Sequence, residues 1–324
     1  MIQGTRRKPS GPERMFEEKA RYTMKRISFA VILLVLSIAA AHAQAKDTPK
    51  KPVFASTTSA PVLFRYKLKT DQLMLMAVDM NTDIGMKMGA RTMAVTQTMH
   101  IDAKAKVTAV DETGNIFVLV KISRLTMEMK GIPEPVSYDS DNADDAKPDF
   151  EGINAMIGVG IPCKISPVGK MLETDLEPLR LAMRRVNNAA MKKAIEDSAG
   201  KMFEGTFVQL SEEPIAAGQS YDAGTIIADP MKARVSYAID SVSGDKRQAV
   251  MTPTVAFEFP AGALAGGEAK LTRQKTDGWI LFDLENGYSG TGQVDTQIEF
   301  ELTANKQTVV MDMKMSVIST ATLQ

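Results

Sequence analysis

Histidine, cysteine and tryptophan are almost missing from this chain: 2, 1 and 1 in 324 residues. One histidine, His42, falls in a leader-like stretch, so His100 is the histidine left for chemistry. No H-E-x-x-H and no Cys/His cluster with zinc spacing exists, and no metal site is expected. A Ser–His–Asp or Cys–His site would have to use His100. That residue sits beside Met99 in a strand-like run, on the face opposite Met93, Val95 and Ile101, where an exposed strand histidine is expected. With Cys163 alone, no internal disulfide can form, so stability must come from packing. No phosphate loop and no G-x-G-x-x-G is present. No catalytic residue and no cofactor is expected.

Aromatics are also scarce, at 6%, and charge of one sign is not in excess: 39 Lys+Arg against 39 Asp+Glu. Removing Met1–Ala43 takes away 8 Lys/Arg and 3 Asp/Glu and leaves 31 and 36, a net charge of about −5. A mildly acidic chain lacks the basic footprint of a nucleic-acid binder. Arg184-Arg185 and Lys192-Lys193 are diluted by Glu173, Asp175, Glu177, Glu196 and Asp197, so a mixed solvated face is expected rather than a lipid-binding one.

The longest apolar run, Ile27–Ala41, has 15 residues, short of the roughly 20 needed to span a bilayer. Lys25 and Arg26 precede it, and Ala41-His42-Ala43 and Ala43-Gln44-Ala45 offer A-x-A cleavage sites. These are the parts of a secretory signal peptide over Met24–Ala43, with Met24 the expected initiator. The reading is an exported protein, periplasmic or secreted, with residues 1–45 as leader, 46–60 as a Lys/Pro/Ser/Thr tether, and 61–324 as one strand-rich domain. After cleavage no membrane span is expected.

Alternation fills most of the domain. Strands are predicted over 62–70, 73–88, 92–101, 107–110, 116–129, 161–165, 170–172, 231–241, 248–259, 268–275, 279–284, 293–302 and 308–318. Turns are predicted at 111–115, 166–169, 243–246, 276–278 and 287–292, a polar loop over 131–149, and a short helix over 150–157. In 116–129 the apolar parity changes from Ile116, Val118, Val120 and Ile122 to Leu125, Met127 and Met129, which predicts a bulge near Ser123 or passage of the strand between two layers.

The one long helical period spans Thr174–Gly205. Leu176, Leu179, Met183, Val186, Ala190, Ala194, Ser198 and Met202 form one stripe. Thr174 with Glu177 fits a capping box, Pro178 suits a first turn, and Asn187-Asn188 is a candidate break. The fold class is therefore mainly β (α+β): curved antiparallel sheet in two similar halves, 61–173 and 206–324, with helical segment 174–205 packed on it.

Short catalytic patterns fail in detail. Ser243–Lys246 matches S-x-x-K, Ser140–Asn142 matches S-D-N, and Lys275–Gly278 nearly matches K-T-G, but in the wrong order for a penicillin-binding site. Gly287–Gly292 lacks the G-x-S-x-G register. Asp139, Asp141, Asp144, Asp145 and Asp149 do not fit an EF-hand loop.

Methionine, at 22 residues, is what the chain has in abundance. Met74/Met76, Met86/Met88, Met127/Met129 and Met311/Met313/Met315 are M-x-M sets on strand faces. Thioethers suit Cu(I), and they also fill deformable cores and re-pack around apolar ligands. The candidate ligand-binding residues are Met127, Met129, Met183, Met311, Met313 and Met315.

The opening Phe64–Lys69 stretch, the Asp111–Asn115 hairpin, the Ile165–Lys170 turn, the helical middle, Ala217–Tyr221 and the Met-rich closing strands resemble an uncharacterised family of exported bacterial proteins, a domain of unknown function, over about residues 62 to 322. The shape is also similar to periplasmic lipoprotein carriers, open β-barrels wrapped round helices. That likeness implies an apolar ligand or lipid between sheet and helix, and neither resemblance carries over any functional residue. The expected function is a non-enzymatic envelope or periplasmic protein binding such a ligand. The alternatives are a carboxylate-dependent enzyme acting on envelope material and a Met-based Cu(I) binder.

Overall fold

The computed structural model describes residues 49–142, 150–187, 189, 192–193, 195, 203, 206–228, 231–258, 267–304 and 307–324. The leader, and Asp144, Asp145, Asp149, Ala190, Ala194, Ser198 and Met202, lie outside the described residues.

The described residues are built on one antiparallel sheet of 12 strands. They are β1 (Leu73–Met88), β2 (Arg91–Val110), β3 (Ile116–Lys130), β4 (Val136–Asp139), β5 (Gly160–Ile165), β6 (Met171–Thr174), β7 (Ser220–Ala228), β8 (Met231–Val242), β9 (Gln248–Glu258), β10 (Gly267–Asp283), β11 (Tyr288–Ala304) and β12 (Gln307–Leu323). Their order is β6-β5-β3-β2-β1-β12-β11-β10-β9-β8-β7, with β4 beside β3. Two meanders thus run outward from the middle, where the first and last strands pair along nearly their whole length, from Met74↔Leu323 to Met88↔Val309. The sheet does not close on itself: β6 and β7 are its ends.

The sheet is nevertheless curled, and the segment before β1 shows how strongly. The strands lying between β5 and β10 are β3, β2, β1, β12 and β11, so a flat sheet would hold β5 and β10 roughly 29 Å apart. Yet Tyr66 N donates to Pro167 O after β5 at 2.8 Å, and its neighbour Lys67 N donates to Gly287 O after β10 at 3.1 Å. One extended segment therefore bridges hairpins from both meanders. It is bound again at Val62↔Ile215 and by Asp71 N to Val107 O at 3.0 Å. Val62, Phe64, Tyr66 and Leu68 alternate into the core, but the predicted strand pairs only at isolated points instead of forming a ladder strand.

The helical stretch differs from its prediction. Thr174 belongs to β6, and the helices whose bounds are described are short: α1 (Glu151–Met156) and α2 (Glu177–Met183); further along the stretch Ala189, Lys192, Lys193, Ile195 and Phe203 are helical. The capping box does not form. Asp175 Oδ1, not Thr174, accepts from Glu177 N at 2.9 Å, and Pro178 sits in the first turn as expected. Leu179, Met183 and Val186 of the stripe are buried. α2 contacts α1 and β5.

Several predicted breaks are absent because strand pairing overrides weak local signals. Residues 102–106 join two predicted strands into β2. Thr276-Asp277-Gly278 is no turn: Gly278 pairs with Val294 inside β10. Glycine is required there by a φ of 149° and by Gln293 O, which would lie 2.2 Å from a Cβ. Ser289–Gly292 likewise belongs to β11. β4 lies inside the predicted polar loop, and β7 was not predicted. The bulge is where parity placed it: Asp102 pairs with Arg124 and Ala103 with Ile122, which leaves Ser123 over, its hydroxyl donating to Asp102 O at 3.2 Å.

Candidate functional site

Partners across an antiparallel sheet share a face, so the register turns sequence parity into rows. On the inward face one row runs Met127–Met99–Met80–Val317–Val294 across β3, β2, β1, β12 and β11. The row two residues further along is Met129–Gln97–Thr82–Met315–Thr296. Beyond it come Val95–Ile84–Met313–Ile298 and then Met93–Met86–Met311–Phe300. From Met93 onward, no inward residue of these strands carries a charge; Asp79, Asp83, Asp102, Lys104, Arg124, Glu299, Asp312 and Lys314 all have the opposite parity.

Of the candidate ligand residues, Met127, Met311, Met313 and Met315 are buried and Met129 half-buried on this one wall. β3 and β12 are separated by β2 and β1, about 14 Å in a flat sheet, so the two groups share a wall without touching across it. Met183 is buried on α2 and belongs to none of these rows. Tyr138 pairs with Met127 and so faces inward, where it stacks on Phe150 at 4.6 Å and donates to Asn154 Oδ1 at 2.6 Å. That contact fixes α1 beside the wall.

The polar members of the second row are what sequence reading passed over. Thr82, Gln97 and Thr296 are 0%, 1% and 4% exposed. Among the described residues, Thr82 Oγ1, Gln97 Oε1 and Thr296 Oγ1 each lack a hydrogen-bond partner. Gln97 spends its Nε2 on a weak bond to Met127 Sδ at 3.6 Å. The signal was available: each is a polar residue at an inward position, between Met80 and Ile84, Val95 and Met99, and Val294 and Ile298.

On the outward face His100 is more constrained than its parity suggested. Nδ1 lies 2.7 Å from Asp79 Oδ1 and Nε2 lies 3.2 Å from Asp102 Oδ1. The Asp79 hydrogen bond raises its pKa, partly offset by desolvation. Beside it Arg124 donates to Asp139 through Nε at 3.2 Å and Nη2 at 2.8 Å. Asp139 is thus an ion-pair partner of Arg124. Both ring nitrogens of His100 face carboxylates, which leaves neither to serve a nucleophile.

The S-x-x-K and S-D-N fragments resolve into turn chemistry. Ser243 donates to Asp245 Oδ1 at 2.6 Å and accepts from Arg247 N and Gln248 N. It lines a cleft of about 500 Å³ with Ser56, Asp245, Arg247 and Glu285, in which Arg247 approaches Glu285 at 3.6 Å. Ser140 Oγ accepts from Leu125 N at 3.0 Å. Burial pushes the Cys163 thiol up to about 11, which makes it an inert core group. Among the described residues no His/Cys/Asp/Glu group could hold a metal ion, and no helix is long and apolar enough to cross a membrane.

No protein-family model and no curated protein matches the chain. Among solved structures, a lipovitellin described by its lipid–protein interactions is similar at 10% identity and a TM-score of 0.46, over 79% of this chain and 26% of that one. The chain thus spans about a quarter of lipovitellin. The Pseudomonas aeruginosa protein OccK5 (OpdH) is similar at 8% identity and a TM-score of 0.21, over 78% and 98%. A DUF1329 family protein from Desulfovibrio piger is similar at 8% and 0.12, over 75% and 84%. Likeness at this level says nothing of ligand or activity.

Proposed function

We propose that this chain is an exported, non-enzymatic carrier that holds an apolar ligand or lipid against the inward face of its central strands. The observation that carries the reading is the wall itself. Four neighbouring strands, β3, β2, β1 and β12, present methionine in successive rows without an intervening charge. Thioether side chains re-pack at little cost, which suits a surface that must be covered by protein when empty and by ligand when loaded. The candidate residues Met127, Met129, Met311, Met313 and Met315 belong to that wall, and Met183 marks the side where α2 meets β5. Export follows from the signal-peptide features of Met24–Ala43.

Native mass spectrometry of the full chain purified from its own host tests this. The expected result is a co-purifying apolar species that is lost on solvent extraction. A mass of bare polypeptide, together with no uptake of an apolar dye, would sink the reading.

A further inference from the structure

A wall meant only to pack would have no use for the row at Thr82. An unpartnered buried hydroxyl or amide oxygen carries an uncompensated desolvation cost, and a valine or methionine of like shape would remove it. Here Thr82, Gln97 and Thr296 fall in one register row, on strands β1, β2 and β11, each with a side-chain oxygen unpartnered among the described residues. We infer that this row is the polar subsite of the ligand wall, and that it selects amphiphiles whose polar group is uncharged, an ester or hydroxyl, over carboxylates and phosphates.

The inference rests on the carrier reading and adds the ligand's class. Threonine hydroxyls both donate and accept, and the Gln97 amide oxygen accepts, so the row can meet an ester carbonyl and a neighbouring hydroxyl together. It cannot meet an anion cheaply. The inward positions around it are Met80, Val317 and Val294 on one side and Val95, Ile84, Met313 and Ile298 on the other, and a charge placed there would lie without a counter-charge. The row also sits part-way along the wall. Thr82 lies eight residues from Met74 and six from Met88 on β1, about 26 and 20 Å of strand. Apolar surface therefore extends on both sides, so a single hydrocarbon chain can run along the wall from the row in either direction.

The test uses the full chain loaded with the apolar dye N-phenyl-1-naphthylamine and two competitors with the same hydrocarbon chain, monooleoylglycerol and oleate. The neutral ester is expected to displace the dye at a concentration at least about tenfold lower than oleate, the ratio expected when a buried polar site goes unmatched. Thr82→Val, Gln97→Met and Thr296→Val together should shrink that ratio to about twofold or less while dye uptake persists. Should the triple variant not fold, Thr82→Val and Gln97→Met alone decide, each expected to reduce the ratio. Thr320→Val is the control. Its hydroxyl is also buried and unpartnered, but it lies at the opposite parity of β12 and should leave the ratio at the wild-type value. Equal competition by oleate, a ratio that survives the variants, or an equal loss in the Thr320→Val control overturns the inference. Failure of the wild type to take up dye or either competitor overturns the carrier reading as well.

Discussion

The two ends of this sheet are built from different residues for different tasks. At the hairpin end the core is aromatic and tied down. Phe64 meets Phe282 at 5.6 Å, and Tyr66 meets Phe207 and Phe282 at 5.6 and 5.9 Å, all edge-to-face. Backbone bonds from the segment before β1 lock hairpins of both meanders there. Along β1, β2, β3 and β12 the wall is aliphatic and thioether instead, with Met80, Met99, Met127, Met311, Met313 and Met315 buried. Aromatic edges fit one geometry well, while methionine fits many adequately. The lesson is that one end sets the curl of the sheet and the other is built of side chains that re-pack.

Substitutions can break that contrast. The largest effect is expected at the aromatic end: Phe282→Ala removes a side chain with 0% exposure and should cost about 3–5 kcal/mol, read as a fall in urea midpoint. Gly278→Ala comes next. Its φ of 149°, and Gln293 O only 2.2 Å from where the alanine Cβ would sit, imply a loss of about 1–3 kcal/mol, measured the same way. In the wall, Met313→Leu should cost less than about 1.5 kcal/mol, because volume-conserving swaps are absorbed. Equal losses at Phe282 and Met313 would erase the distinction between the two ends.

The smallest effect sharpens the outward face. The pKa of His100 is raised above 6.5, first by its hydrogen bond to Asp79. A raised value means the fold favours the protonated ring. Its contribution is fully present below about 6.5 and is lost as pH rises through the raised folded value. With partners this exposed, the contribution is about 0.2–1 kcal/mol. The stability gap between wild type and His100→Gln should therefore be widest in mild acid and close towards alkaline pH, as thermal melts across that range would show. A gap that widened with pH would contradict the assignment.

How much of this was legible in sequence depends on which force acted. Parity gave the inward residues of the strands, because burial on one face is written residue by residue. It even located the Ser123 bulge, since an extra residue must flip the alternation. It failed where partners decide the outcome. Gly278 reads as a turn glycine, yet its neighbour strand demands the missing side chain. Thr174 reads as a cap, but pairing with Cys163 draws it into β6. The polar row was legible only one residue at a time, as a polar side chain at an inward position. Thr82, Gln97 and Thr296 come from distant parts of the chain and become one feature only in register.

The central claim is that the methionine wall meets the ligand and the aromatic end does not. Methyl-labelled methionine NMR tests it most directly, with the full chain titrated by monooleoylglycerol. Shifts should appear at Met80, Met99, Met313 and Met315, while Met251 on β9, which accepts from Tyr221 Oη at 3.9 Å near the Tyr221–Tyr237 pair, stays in place. Unmoved wall methyls, or shifts confined to Met251, would contradict the account.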